Sequence, residues 1–276
     1  MPLSLFNLVD QLPGSVAQGL IWGIMAIGVY ITFRVLDIAD LTVDGSFCTG
    51  GAVFVILLTN GQNIWLALAC SLLAGMLAGL ATGIFHVFFG ISTILAGILT
   101  QFALWAVNLL IMGRPNVAIS VNNYNLIVSL RYLQEVIKGE KPFYWSPIFT
   151  VGIFILLIIG ILYWYFGTES GMSIRATGAN INMAKAQGIN TSFNIVLGLM
   201  IANGLVALSG AILTQYQGFA DINMGRGAVV IGLAAVIIGE ALFSWIFKNF
   251  ALRLLSTVLG AVVYYIVIQT ILWLRL

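Results

Sequence analysis

Glu169-Ser-Gly-Met-Ser-Ile-Arg175-Ala-Thr-Gly178-Ala-Asn180-Ile-Asn-Met-Ala-Lys185-Ala-Gln-Gly188-Ile-Asn190 is the longest run in the second half of the chain that lipid would not accept. Apolar stretches at 148–166 and 193–214 flank it, so it reads as a connection lying against a membrane surface. The amide oxygen of Asn180 or Asn182 suits a helix N-terminus, where it accepts from the free N–H groups of the first turn. Met183, Ala184, Lys185, Ala186 and Gln187 are good helix formers, and Gly188 suits the left-handed residue that closes a helix. The pattern predicts a helix of about two turns carrying Lys185, marginal by itself in water and in need of a surface to dock on.

Composition sets the class. Of 276 residues, 61% are hydrophobic and 7% charged, with mean hydropathy +1.08, whereas soluble domains carry about 25% charged residues. A soluble domain is excluded, and residues 1–276 are expected to form a single all-α polytopic membrane domain. One lipid-spanning helix takes about 20 apolar residues, which leaves room for about eight spans and little else. No basic segment precedes the first apolar run, so no cleavable signal peptide is expected. The net charge of +2 gives no reason to expect a nucleic-acid partner. Cys48 and Cys70 lack metal or redox spacing and are read as packing residues.

The expected spans lie at 16–33, 47–58, 64–87, 94–112, 148–166, 193–214, 228–247 and 252–274. Before them, Leu5, Phe6, Leu8 and Val9 suggest an interfacial turn. Residues 47–58 are too few to cross about 30 Å of hydrocarbon, which predicts a broken or partly buried second helix. Gly75, Gly79 and Gly83 form a small-residue stripe that another helix can approach closely. The connection at 113–146 is the other long polar segment; within it Tyr132, Leu133, Val136 and Ile137 repeat at amphipathic-helix spacing. Ala39-Asp40-Leu-Thr42-Val aligns with Ala220-Asp221-Ile-Asn223-Met. The two patches are an odd number of crossings apart, which suggests inverted repeats with broken helices at the centre.

An ionised aspartate at mid-bilayer costs ~3 kcal/mol, so Asp37, Asp40 and Asp44 cannot face lipid. Arg34 and Asp37 are spaced to pair across one helical turn. Asp40, Thr42 and Asp44 either cap the second span or line a polar route beside Asp221 and Asn223. Gln101, Asn108, Asn203 and Gln269 are expected to make interhelical hydrogen bonds worth about 1 kcal/mol each. Trp65, Trp145, Trp164, Trp245 and Trp273 fit an interfacial aromatic belt. His86 has no nucleophile or metal partner at useful spacing. The chain has no Gly-x-x-x-x-Gly-Lys-Ser/Thr phosphate loop, so energy from ATP would have to come from another chain.

Gly171-Met-Ser-Ile-Arg175-Ala-Thr-Gly178-Ala-Asn180, with Ala184 and Gly188-Ile-Asn190, resembles the cytoplasmic coupling segment of ABC-transporter permeases of the branched-chain amino acid and ribose type. The resemblance continues through Asn203-Gly-Leu-Val-Ala-Leu-Ser-Gly210, Gln215-Tyr-Gln-Gly-Phe-Ala-Asp221 and Gly232-Leu-Ala-Ala-Val-Ile-Ile-Gly-Glu240. With Asp40-Leu-Thr-Val-Asp44-Gly-Ser-Phe47 added, it is closest to the subgroup associated with tryptophan or tyrosine uptake, and it spans about residues 14–274. Asp44 and Glu240 stand where many branched-chain relatives carry neutral residues.

The resemblance implies a multi-pass permease subunit in a bacterial cell membrane, working in an importer with a second permease copy, two cytoplasmic ATPase subunits and an extracytoplasmic substrate-binding protein. ATP and Mg would be bound by the ATPase subunits, with no cofactor in this chain. The substrate implied is an amino acid, best an aromatic one. Lys and Arg near the span ends divide five against six and do not orient the chain; the resemblance places residues 168–192 in the cytoplasm and both termini outside. Arg175, Asn180 and Lys185 then offer donors to an acidic or carbonyl-lined groove on an ATPase subunit, unless the stretch is an ordinary loop. Gly178 and Gly188 would let the backbone turn sharply on either side of Ala184. The competing reading is an ion-coupled secondary transporter of a small solute, in which the aspartates bind the coupling ion.

Overall fold

The computed structural model describes residues 5–119, 124, 126–138 and 142–274, with side chains described from residue 11 onward except at 143. The interfacial side chains expected at 5–9, three asparagines of the 113–146 connection (Asn122, Asn123 and Asn125), and Glu140, Lys141 and Arg275 lie outside them. Among the described residues, six helices are long and apolar enough to cross a membrane. They are α1 (Leu5–Tyr30, prolonged by a wide π turn, Ile31–Val35), α3 (Ile64–Val87), α4 (Thr93–Met112), α6 (Pro147–Phe166), α9 (Thr191–Gln217) and α11 (Phe250–Leu274).

Two further apolar helices are shorter. α2 (Val43–Thr59) has 17 residues and α10 (Ala228–Phe243) has 16, each about 25 Å at 1.5 Å per residue and short of a full crossing. The shortness of the second span was expected; that of the seventh was not. α10 ends at Phe243 rather than continuing to 247, because residues 244–249 leave the helix and expose Trp245. Among the described residues the expected eight apolar helices are present, six of full length and two shorter.

Helix directions follow from facing residues. Gly75, Gly79 and Gly83 of α3 meet Asn203, Leu199 and Val196 of α9 in reverse order, and an added Cβ at Gly75 would lie 2.3 Å from the Asn203 carbonyl oxygen. The small-residue stripe therefore seats α9, backbone against backbone. Ile21 accepts from Ser209, and Gly14 from Tyr216, so α1 and α9 are antiparallel. Gly19 and Gly23 of α1 face Val262 and Val258 of α11. Hence α1 and α3 run one way, and α9 and α11 the other. The units α1-α2-α3 and α9-α10-α11 have the same order and opposite direction.

The breaks at 36–42 and 218–227 match in detail. Asp40 Oδ1 accepts the Thr42 N–H at 2.9 Å, and Asp221 Oδ1 accepts the Asn223 N–H at 2.7 Å. Short acidic side chains close the same two-residue turn in both repeats, which gives the five-residue alignment a structural basis. The starts of α2 and α10 meet inside the bundle: the Asp44 carboxylate accepts the N–H of Gly227 at 3.0 Å and of Val229 at 2.9 Å. Asp44 thus caps the opposite repeat's half-helix, not its own. From that junction α2 runs to one end of the bundle and α10 to the other, where Glu240 pairs with Arg34 at 2.9 Å. Arg34 therefore does not pair with Asp37, which takes a left-handed conformation (φ 56°) in the turn after α1.

At the far end, β1 (Asn116–Ala118) and β2 (Phe219–Asp221) form a two-stranded antiparallel ribbon that the apolar pattern does not signal. The amphipathic α5 (Leu130–Ile137) lies in the long connection, capped by Ser129, with Leu133 buried.

Candidate functional site

The junction of the two half-helices opens on a cavity of about 340 Å³. Asp44, Gly45 and Cys48 of α2 form one wall, Gln101, Phe102, Trp105 and Asn108 of α4 another, and Ile222 and Arg226 of the second break a third. Cys48 holds that break in place: its thiol donates to the Ile222 carbonyl at 3.3 Å and its sulfur accepts the Gly225 N–H at 3.1 Å. It does more than pack. Trp105 and Phe102 leave 46% and 71% of their surface open beside Asp44 and Arg226. The cavity therefore presents a carboxylate, a guanidinium and flat aromatic faces together.

Asn108 marks it as polar by need. The residue is 1% exposed, yet both its amide atoms lack a hydrogen-bond partner. An unpaired buried polar group costs about 1–3 kcal/mol, and this amide borders the cavity. The interhelical bond expected of Asn108 is not made. Asn203 and Gln269 do make theirs, to Ser46 and Asp40 and to Gln11 respectively.

The five route candidates are not brought together. Asp44 alone lines the cavity. Asp40 is buried behind it, its Oδ2 accepting from Asn203 Nδ2 at 2.6 Å while Asn203 Oδ1 accepts from Ser46 at 2.6 Å. Thr42 is also buried and shares a 2.6 Å hydroxyl contact with Thr82. Asp221 sits at the ribbon, accepting from Asn116 at 3.3 Å, and Asn223 is exposed beside it.

The stretch at 169–190 folds as two helices rather than one: α7 (Glu169–Ala179) and α8 (Ile181–Ala186). Asn180 caps α8 by accepting the Met183 N–H at 3.0 Å, Ala184 anchors it at 3% exposure, and Gly188 closes it at φ +80°. Ile181, Met183 and Lys185 remain exposed on its outer face. Gly178 is not a turning point but a contact: it lies within α7, where a Cβ would stand 1.9 Å from the Val35 carbonyl oxygen. Arg175 lies over the ring of Phe250 on α11, at 5.3 Å. On its other side α7 is tied to α9, Ser173 donating to Asn194 at 3.2 Å and Asn194 to Thr177 at 3.0 Å. α7 is thus a short helix clamped between the end of α1 and the start of α9.

Residues 12–275 match the family described as "Branched-chain amino acid transport system / permease component". The chain belongs to this permease family. It is a permease component of an ABC transport system and a multi-pass membrane protein. Among its relatives, the tyrosine transport system permease protein of Clostridioides difficile (strain R20291) is 40% identical over 226 residues, 82% of this chain and 72% of that protein. An uncharacterized Rickettsia prowazekii (strain Madrid E) protein is 35% identical over 257 residues, covering 92% and 86%. The fructose import permease FruF of Bifidobacterium longum (strain NCC 2705) is 24% identical over 242 residues, covering 84% and 62%.

Reading the permease from its sequence missed Gln101, Trp105 and Asn108 as one set. Their spacing of four and three residues puts them on a single face of α4, a signal present in the sequence. Arg226 and Cys48 carried no such signal, because their neighbours in the cavity come from distant segments.

Proposed function

We propose that this permease moves an amino acid with an aromatic side chain into the cell, through the cavity at the half-helix junction. What supports the reading is the chemistry of that cavity. Asp44 and Arg226 offer opposite charges to the ammonium and carboxylate of a zwitterion, Trp105 and Phe102 offer flat surfaces to a ring, and the Asn108 amide offers a polar partner. The printed name of the Clostridioides relative points the same way.

In this reading two copies pair, two cytoplasmic ATPase subunits engage the exposed face of α8, and an extracytoplasmic binding protein delivers the substrate. Closure of the ATPase pair pushes α8; α7 passes the push to Val35 of α1 and Asn194 of α9, and the junction where α2 and α10 start opens to the other side. ATP binding drives the cycle only by favouring one of the two states over the other.

Trp105→Ala should lower tyrosine uptake about tenfold, the worth of one aromatic contact, and leave ATPase activity intact. The measurement is uptake of labelled tyrosine, tryptophan and leucine into vesicles holding permease, ATPase and binding protein. Equal uptake of leucine and tyrosine would remove the aromatic assignment. Uptake without the ATPase that collapses with an ionophore would select the ion-coupled alternative instead.

A further inference from the structure

At the α7–α8 end, three arginines from three helices converge on a second cavity of about 270 Å³. Arg34 comes from the end of α1, Arg175 from α7 and Arg253 from the first turn of α11, with Tyr30 and Phe250 as the floor. All three arginines are exposed. Glu240 binds Arg34 at 2.9 Å, Arg253 lines the cavity beside Tyr30, and Arg175 lies over Phe250. One acid against three guanidiniums leaves the cavity with excess positive charge, and no part of the amino-acid route uses it.

The adjoining groove says what kind of anion fits. Arg175 and Phe250 also line a neighbouring cavity with Tyr163, Trp164, Phe166, Gly167 and Thr168 at the end of α6. Trp164 and Tyr163 are 72% and 56% exposed, and α6 continues outward with Leu156, Leu157 and Ile161 equally open. Aromatic side chains of this kind sit at headgroup level, and an apolar open helix beyond them faces acyl chains. Guanidinium forks match phosphate oxygens, and basic pockets between membrane helices hold anionic headgroups.

We propose that Arg34, Arg175 and Arg253 form a binding site for a phosphate group, supplied by an anionic phospholipid whose chains run along the Trp164 groove and α6. A lipid seated there bridges α1, α7 and α11 and so bears on the coupling proposed to pass through α7.

The test is native mass spectrometry of the purified full chain titrated with phosphatidylglycerol, phosphatidylcholine or inorganic phosphate. Phosphatidylglycerol should bind in preference to phosphatidylcholine. Each basic group near a membrane surface is worth roughly fivefold in affinity, so Arg253→Gln should weaken binding about fivefold and Arg175→Gln with Arg253→Gln about thirtyfold. Glu240→Gln, which frees Arg34, should tighten it about fivefold, an effect of opposite sign that misfolding cannot mimic. Arg114→Gln, exposed at the other end, should change nothing. Binding of inorganic phosphate with the same variant pattern, without lipid preference, assigns the phosphate chemistry to a soluble ion. Equal binding of the two lipids with no phosphate effect overturns the site. So does unaltered phosphatidylglycerol binding by the double variant.

Discussion

Asn203→Leu should destabilise the permease by about 3 kcal/mol and abolish transport, the cost of stripping two buried groups of their partner at once. Asn203 is 0% exposed and stands between Asp40 and Ser46, donating to one and accepting from the other at 2.6 Å each. Leucine fills similar space but leaves the Asp40 carboxyl and the Ser46 hydroxyl facing hydrocarbon. Asp40→Asn should cost less, about 1–2 kcal/mol, because the Asn203 amide can turn over and Ser46 can accept instead of donate, giving up only the 3.0 Å bond from Asn203 Nδ2 to the Leu199 carbonyl. For a chain of this size a 3 kcal/mol loss lowers the thermal midpoint by about 6–12 °C. Thermal unfolding of both variants in detergent decides. A large loss in Asp40→Asn would show that the negative charge itself is needed, as an ion-coupled mechanism requires. An unchanged Asn203→Leu would remove the network from the account of the fold.

Gly178→Val should cut uptake at least about tenfold while ATP hydrolysis continues, at a stability cost of about 3 kcal/mol from overpacking. The α7–α1 contact has no room: the Cβ alone would fall 1.9 Å from the Val35 carbonyl oxygen and 2.8 Å from the Leu36 Cα. Both neighbours are backbone and cannot swing aside, so α7 must separate from α1, the contact through which the proposed coupling would pass. Gly188→Ala supplies the contrast. Nothing lies within 4 Å of a Cβ there, and the left-handed conformation costs an L-residue only about 1–2 kcal/mol. Paired measurements of ATPase rate and uptake in reconstituted vesicles separate the two positions. Full coupling in Gly178→Val would deny α7 its role as the transmitting element.

Several features were legible from the amino acids because they depend on neighbours in sequence. The Asn180 cap, the Gly188 terminator, the Gly75–Gly79–Gly83 stripe and the small-core amphipathic helix around Leu133 each need only local spacing. The resemblance carried the family. The helical register also held, except where a local pattern ran past a real helix end, as at residues 244–247.

Spacing could not say which helix Asp44 caps. Its own half-helix begins one residue before it, and a reading along the chain naturally assigns it there; the true recipient is separated by more than 180 positions. Arg34 likewise has an acid three residues away and ignores it for Glu240, because the π turn and the left-handed Asp37 carry that acid to another side.

Hydrophobicity and periodicity determined by themselves that this chain lives in a membrane as eight apolar helices, since lipid admits only elements that satisfy their own backbone groups and apolar runs this long suit helices rather than barrel strands. The two aligned patches already suggested broken helices at the centre; tertiary structure alone decided that the starts of α2 and α10 meet nose to nose, with a cavity beside them. That outcome depends on contacts between residues far apart in sequence, whose energies arise only once the two repeats have come together.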